Sequence, residues 1–340
     1  MMRGLDRVEI VLDIRIMNYL KFIQITADDD ASGSILEIRL TMTRLLPLAL
    51  VQSPAVPDND LLAFGTQLER LVHRYSDSRL FAYPELHLNG TGDASLDETS
   101  TLVEALAEHR DGDRDRTLAQ IAGDLNIWLV PGSFYERGDD GLIYNTTAAF
   151  SPEGRRIASY RKVFPWRPYE KVAGGSEFVV FDMDDFGCVG LSICYDTWFP
   201  EASRHLAWMG AELILNVVMT PTSDRAQEVT LNRANAIVNQ VFVASVNAAA
   251  PDGLGRSLLV DPQGRVRVES TSSESTVLTD VIDLDEVAAV RRHGTGGVTR
   301  PWQQYEGIHG SLPLPLYGGS LDPERWQPRR HVDQAVLPLR

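Results

Sequence analysis

Gly187-Cys188-Val189-Gly190-Leu191-Ser192-Ile193-Cys194-Tyr195-Asp196-Thr197-Trp198-Phe199-Pro200-Glu201 carries an apolar strand straight into a cysteine and then into a helix start. A thiol at such a bend faces a cleft rather than a packed core. The backbone N–H groups that follow point at whatever the sulfur attacks. Two other segments offer partners for it: Tyr83-Pro84-Glu85-Leu86 and Tyr160-Arg161-Lys162-Val163-Phe164-Pro165-Trp166. Together they suggest acyl transfer by a thiol nucleophile with a carboxylate base and an ammonium group.

The chain has 340 residues, 44% of them hydrophobic and 23% charged, which is the composition of a soluble globular protein. It is long enough to bury a core without a disulfide or a metal staple. Its formal net charge of −15 argues against a nucleic-acid partner, which would require clustered Lys and Arg. Cys188 and Cys194 are the two cysteines, six residues apart on one expected strand. A strand rises about 3.3 Å per residue, so they cannot meet the geometry of a disulfide. Free thiols fit a reducing compartment, and the expected location is the cytoplasm. No apolar run reaches the length of a membrane span. Glu9, Asp13 and Arg15 break any apolar signal region near the start.

Residues 45–290 read as alternating strands and helices, hence an α/β architecture. Strands are expected at 45–52, 80–83, 127–135, 143–150, 156–162, 177–182, 188–193, 212–218, 241–247 and 276–283. Helices are expected after Asp58, a candidate N-cap, over 99–124 with a charged interruption at 110–116, and at 197–209 and 224–240. Ser151-Pro152-Glu153-Gly154 and Asp261-Pro262-Gln263-Gly264 read as hairpin turns, so the sheets should be mixed. Upstream, Val8, Ile10, Leu12, Ile14 and Ile16 alternate as in a half-buried strand, and 28–34 reads as a loop. Residues 1–41 are either an appended arm or sequence upstream of a start at Met42, and no function attaches to them. Residues 291–340 are rich in Gly and Pro and read as an irregular tail that packs on a neighbour.

Each candidate residue also has an ordinary reading. Most free cysteines are small core hydrophobes, and Cys188 fits that description. Cys194 departs from it by standing at a strand end before a helix start. Glu85 follows an apolar strand and Pro84. It is either a solvated loop carboxylate or a general base facing a cleft. Lys162 closes the strand after a Pro-Glu-Gly turn. It is either a surface lysine or a cation that stabilises an oxyanion. Glu170 lies on the Pro- and aromatic-rich loop Pro165-Trp166-Arg167-Pro168-Tyr169, which could line a pocket.

Taken in order, these segments resemble the nitrilase superfamily of carbon–nitrogen hydrolases over roughly residues 45–290. Arg204, Gly210-Ala211-Glu212 and Arg233-Ala234 add to the match. The resemblance implies a four-layer αββα sandwich of two mixed β-sheets flanked by helices. It implies Cys194 as nucleophile, Glu85 as general base, Lys162 as oxyanion stabiliser and Glu170 as an auxiliary carboxylate. The Tyr195 backbone N–H would complete an oxyanion hole, and Trp166 and Trp198 would border the substrate. No metal or organic cofactor is implied. The implied partner is a small-molecule amide, in a homodimer or higher homo-oligomer.

Cys194-Tyr195-Asp196 looks like the amidase branches, and no Trp-Glu pair follows the cysteine as in most nitrilases. Thr197-Trp198 stands where N-carbamoyl amino-acid hydrolases tend to place an arginine. The expected activity is therefore hydrolysis of a small amide. Nitrile or N-carbamoyl hydrolysis and a catalytically silent scaffold are the alternatives.

Overall fold

The alternating Val8-to-Ile16 stretch forms a strand, β1 (Val8–Ile16), pairing antiparallel with β2 (Tyr19–Asp28), which pairs with β3 (Ile35–Met42). These three form a sheet of their own. The computed structural model describes residues 8–16, 19–28, 35–56, 60–90, 96–184, 186–305, 310–322, 325–326 and 328. Asp28, expected in a loop, closes β2, and the rest of that expected loop (29–34) lies outside the described residues.

The chain then runs β4 (Leu45–Gln52), α1 (Leu61–Arg74), β5 (Leu80–Ala82), α2 (Leu96–Leu106), β6 (Glu108–His109), α3 (Asp113–Leu125), β7 (Trp128–Val130), β8 (Ser133–Arg137), β9 (Ile143–Phe150) and β10 (Arg156–Arg161). The second half runs β11 (Val180–Asp182), β12 (Cys188–Ile193), α4 (Pro200–Trp208), β13 (Leu213–Val218), α5 (Arg225–Asn239), β14 (Phe242–Asn247), β15 (Leu258–Val260), β16 (Val266–Glu269), β17 (Thr276–Asp283) and α6 (Asp285–His293).

Two mixed sheets result. In the first, β4, β5 and β7 are parallel, with β17 antiparallel on one flank and β8, β9 and β10 on the other. In the second, β12, β13 and β14 are parallel, β11 and β15 flank them antiparallel, and β16 pairs antiparallel with β15 at the edge.

Strand alternation assigns the layers. Leu46, Leu48 and Leu50 of β4 face Val189, Leu191, Leu213, Leu215 and Val217 of the other sheet in one buried cluster. Ala49 and Val51 point the opposite way, against Phe64 and Leu68 of α1 and Leu118 and Ala122 of α3. On the far side, Ile214 and Val243 pack against Leu206 and Ala207 of α4 and Val229 and Ala236 of α5. Helix, sheet, sheet and helix are thus stacked in the expected αββα order. The central parallel strands carry apolar residues on both faces because both faces are covered.

Four local expectations change. The cap of α1 is Asp60, whose Oδ1 accepts from the Leu62 and Ala63 N–H groups at 3.0 and 2.9 Å, while Asp58 lies outside the described residues. The helical region 99–124 is two helices, α2 and α3, separated by the short β6. The strand expected over 127–135 is broken into β7 and β8 at Gly132, whose φ is +88°. A Cβ there would sit 1.8 Å from the Pro84 carbonyl oxygen. Only glycine accepts both that backbone and the Pro84–Glu85 loop against it. Finally, the chain beyond 290 is not wholly irregular. α6 runs to His293, and Trp302 is buried beneath the outer helices of its own chain with its indole N–H on the Asn239 carbonyl at 3.1 Å.

Candidate active site

Three strand ends converge at one edge of the sandwich, as ligand sites in parallel sheets generally do. Glu85 follows β5, and its backbone N–H reaches across to the carbonyl of Val218 at the end of β13, 3.3 Å away. Lys162 extends β10, its N–H donating to the Asn145 carbonyl at 2.8 Å. Cys194 follows β12 directly. It has a φ of +45°, unusual for a residue with a side chain, and opens a single tight helical turn, Cys194–Trp198, before α4. The expected helix at 197–209 is thus this turn followed by α4. The backbone strain falls on the residue singled out from sequence.

Asp196 holds this turn in place. Its carboxylate accepts from the Ile193 N–H at 2.9 Å, the Tyr160 hydroxyl at 2.8 Å and the Phe164 N–H at 3.0 Å. Tyr160 and Phe164 bracket Lys162, so Asp196 ties the cysteine turn to the lysine strand. Burial raises the Asp196 carboxyl to about 6, against Lys162 and these bonds, which pull it down.

The charged groups meet in a buried cluster. Lys162 Nζ donates to Glu85 Oε1 at 2.9 Å and to Glu170 Oε2 at 2.7 Å, and Lys162 and Glu85 are 2% and 4% exposed. The Asn145 amide bridges the same two carboxylates from the other side, 2.8 Å from each. The Met219 N–H donates to Glu85 Oε2 at 3.0 Å, and the Trp166 N–H to Glu170 Oε2 at 2.8 Å. The Cys194 thiol contacts the Glu85 carboxyl and sits 3.7 Å from the Thr220 hydroxyl.

The electrostatics follow from burial and charge. Burial pushes the Glu85 carboxyl up, with Lys162 opposing it. For Lys162, burial alone would favour the neutral amine, but Glu85 and Glu170 outweigh it and keep the ammonium. Burial also works upward on Glu170, yet the charge and hydrogen bond of Lys162 hold it below its ordinary value. Burial and the neighbouring Glu85 drive the Cys194 thiol well above its ordinary value, so the resting sulfur carries its proton. The arrangement offers a neutral thiol, a desolvated carboxylate able to take a proton, and a fixed cation.

The expected aromatic residues lie nearby in sequence and cluster with one another. Tyr195 packs edge-on to Phe199 at 5.4 Å and 6.0 Å from Trp198, Phe199 stacks on Phe164 at 3.8 Å, and Trp166 leans on Tyr169 at 4.5 Å. A cavity of about 310 Å³ reaches Glu170, bordered by Tyr135, Tyr169 and Lys171. A wider one, about 860 Å³, lies over α4 among Arg204, Trp208, Trp302 and Trp326, with no member of the charged cluster in its wall. Cys188 is fully buried in β12, and both cysteines are free thiols.

Sequence reading gave no role to Asn145 or Thr220, and took Asp196 only as part of the Cys194-Tyr195-Asp196 motif. Asn145, Thr146 and Thr147 are fully buried polar residues inside β9. A run of amides and hydroxyls inside a strand flanked by apolar residues was the available signal, since buried polar groups must be paired.

The fold is thus two mixed sheets between helices, with a thiol, an ammonium and two carboxylates gathered at one edge. The sequence profile of carbon-nitrogen hydrolases matches residues 48–292, and the chain belongs to that family. It is 32% identical over 202 residues to the omega-amidase NIT2 of Homo sapiens, covering 55% of this chain and 72% of the relative. Among solved structures it is similar to Nit3 of Saccharomyces cerevisiae, a member of the nitrilase superfamily, with a TM-score of 0.65 and 25% identity, covering 73% of this chain and 94% of that one. An amidase from Nesterenkonia sp., solved with the acetamide moiety of fluoroacetamide covalently added at its active-site cysteine, has a TM-score of 0.59 and 25% identity, covering 74% and 94%. Among the described residues, no helix is long and apolar enough to cross a membrane.

Proposed function

We propose that the protein is an amidase, hydrolysing a small linear amide to ammonia and a carboxylic acid through a thioester on Cys194. The observation that carries this reading is the double contact of Lys162 Nζ with Glu85 and Glu170, beside a thiol held on a strained turn. In the first half-reaction the sulfur bonds to the amide carbon and its proton passes to Glu85. The carbonyl oxygen becomes an oxyanion, stabilised by the Lys162 ammonium and the Tyr195 N–H. The C–N bond breaks as Glu85 gives the proton to the departing nitrogen, leaving a thioester. In the second half-reaction Glu85 takes a proton from water, whose oxygen attacks the thioester. The acid leaves and the thiol regains its proton. Glu170 and Asn145 keep Glu85 and Lys162 in register.

Trp166, Tyr195 and Trp198 would border the amide, and the family members named as amidases favour this branch over nitriles. Two free thiols suit a reducing compartment such as the cytoplasm. Ile237 and Val238 of α5, 45% and 44% exposed, suit self-association of the chain, which light scattering tests directly.

Ammonia release from a panel of short amides, nitriles and N-carbamoyl acids tests the activity. Turnover of amides should vanish in Cys194→Ala and Lys162→Met proteins that keep the wild-type circular dichroism. Undiminished turnover in either would reject the roles given to those residues. A preference for nitriles or N-carbamoyl acids would reject the substrate class.

A further inference from the structure

Near the sulfur, reached through the Thr220 hydroxyl, lies a second buried ion pair that the reaction as written does not use. Glu228 and Arg225 of α5 are 2% and 1% exposed, and their side chains meet at 3.0 Å. Burying such a pair is costly unless its remaining hydrogen-bonding capacity is filled. The guanidinium fills its own: Nε donates to the Gly255 carbonyl at 3.2 Å, Nη1 and Nη2 to Ser245 Oγ at 3.1 Å, and Nη2 to the Arg256 carbonyl at 2.9 Å. Glu228 Oε2 is thereby fixed, and Oε1 is left to accept from the Thr220 hydroxyl at 3.0 Å.

Thr220 is itself clamped. Its N–H donates to Asn247 Oδ1 at 2.8 Å, and its carbonyl accepts from Asn247 Nδ2 at 3.3 Å and from the Leu254 N–H at 2.9 Å. A hydroxyl has one proton to donate. In the resting protein that proton lies on the Glu228 carboxylate, and the oxygen faces its other neighbour, Cys194 Sγ, 3.7 Å away.

We propose that Thr220 is a positioning residue for the nucleophile, its hydroxyl held by the Glu228–Arg225 pair against Cys194 Sγ so that the sulfur keeps one rotamer beside Glu85. This rests on Cys194 being the nucleophile, as above. In the reaction the S–H proton passes to Glu85. The Thr220 hydroxyl then faces a sulfur gaining negative charge, and it can turn its proton to that sulfur while Arg225 continues to hold Glu228. The charged groups that interact with the thiol are Glu85, Lys162, Glu228 and Arg225. Glu228 therefore favours the protonated sulfur, and the Thr220 hydroxyl favours the thiolate.

The test measures amide turnover together with the pH dependence of iodoacetamide alkylation at Cys194, located by mass spectrometry with the buried Cys188 as internal reference. Thr220→Val keeps shape and removes the hydroxyl. Its kcat should fall roughly ten- to a hundredfold, as for a misplaced reacting atom, with KM little changed, and its alkylation midpoint should move to higher pH. Glu228→Gln removes a negative charge and should move the midpoint to lower pH. Thr220→Ser should restore both kcat and midpoint.

Wild-type kcat and midpoint in Thr220→Val would overturn the positioning role. Should that variant fold poorly, an unmoved midpoint in Glu228→Gln would do the same. If the wild-type protein alkylates Cys194 no faster than Cys188 and turns over no amide, the nucleophile assignment fails first. That result is distinct from active wild-type enzyme with indifferent Thr220 variants.

Discussion

Replacing Lys162 with methionine keeps an unbranched apolar stem, one atom shorter, and removes one charge from the centre of the cluster. In the native protein that charge lies 2.9 Å from Glu85 Oε1 and 2.7 Å from Glu170 Oε2. Without it, two carboxylates are left facing each other across the Asn145 amide, with the Met219 and Trp166 N–H groups as further donors and no cation between them. Breaking a buried ion pair by removing one partner costs about 3–5 kcal/mol, mostly the penalty of the charge left behind. At about 2–3 °C per kcal/mol for a chain of this size, the melting temperature should fall by about 6–15 °C.

The loss should also depend on pH, in a direction fixed by linkage. In the wild-type protein Glu170 is held below its ordinary value, so its stabilisation is present at neutral pH and lost as pH falls through that depressed value. In Lys162→Met both carboxylates are buried without a cation, and their folded values rise above the unfolded ones. The native variant then binds the extra proton and recovers stability as pH falls. The gap between the two proteins should therefore be widest near about pH 8 and close toward about pH 5. Urea unfolding at those two pH values, with Lys162→Met/Glu170→Gln as the rescuing double variant, measures it. A gap below about 1 kcal/mol, the value of an exposed pair, and equal at both pH values would refute the reasoning that the cluster is a buried, charge-balanced unit.

Three further outcomes follow from single contacts. Gly132→Ala would force a Cβ into the Pro84 carbonyl at 1.8 Å on a backbone of positive φ. It should cost more than about 1 kcal/mol in denaturant unfolding and lower kcat by displacing Glu85. Asn145→Leu keeps volume but strips one hydrogen bond from each of Glu85 and Glu170. A stability loss of about 1–3 kcal/mol, with kcat falling more than KM changes, is expected from kinetics and unfolding together. Trp302→Ala should destabilise the chain by about 3–5 kcal/mol, because the indole is buried under Arg204, 4.7 Å from its ring, and against the outer helices. A melting temperature within a degree of wild type would show that this part of the tail contributes nothing to its own fold.

Much of the architecture was legible because it is written in local pattern. Leu46, Leu48 and Leu50 against Ala49 and Val51 in β4, and Leu213, Leu215 and Val217 against Ile214 in β13, report two covered faces by alternation alone. Cys194 was recognisable because a strand ran into it and Pro200 followed, and Glu85 and Lys162 because they stood at strand ends. Breaks inside apolar runs were less legible. The division of 127–135 at Gly132 depends on a loop 45 to 48 residues upstream pressing against that glycine (Pro84 and His87 are 1.8–3.1 Å from its absent Cβ), and local pattern carries no record of such a neighbour.

The sequence alone determined the alternating α/β character of the chain, the strand ends, and which thiol stands at a bend, because each depends on neighbours a few residues apart. Only the tertiary structure decided that Asn145 joins Glu85 to Glu170, that Asp196 fastens the Cys194 turn to the Lys162 strand, and that Thr220, Glu228 and Arg225 back the sulfur. The reason is physical: a buried polar side chain takes its meaning from the partner that satisfies it, and these partners come from strands and helices that meet only when the two sheets close on each other.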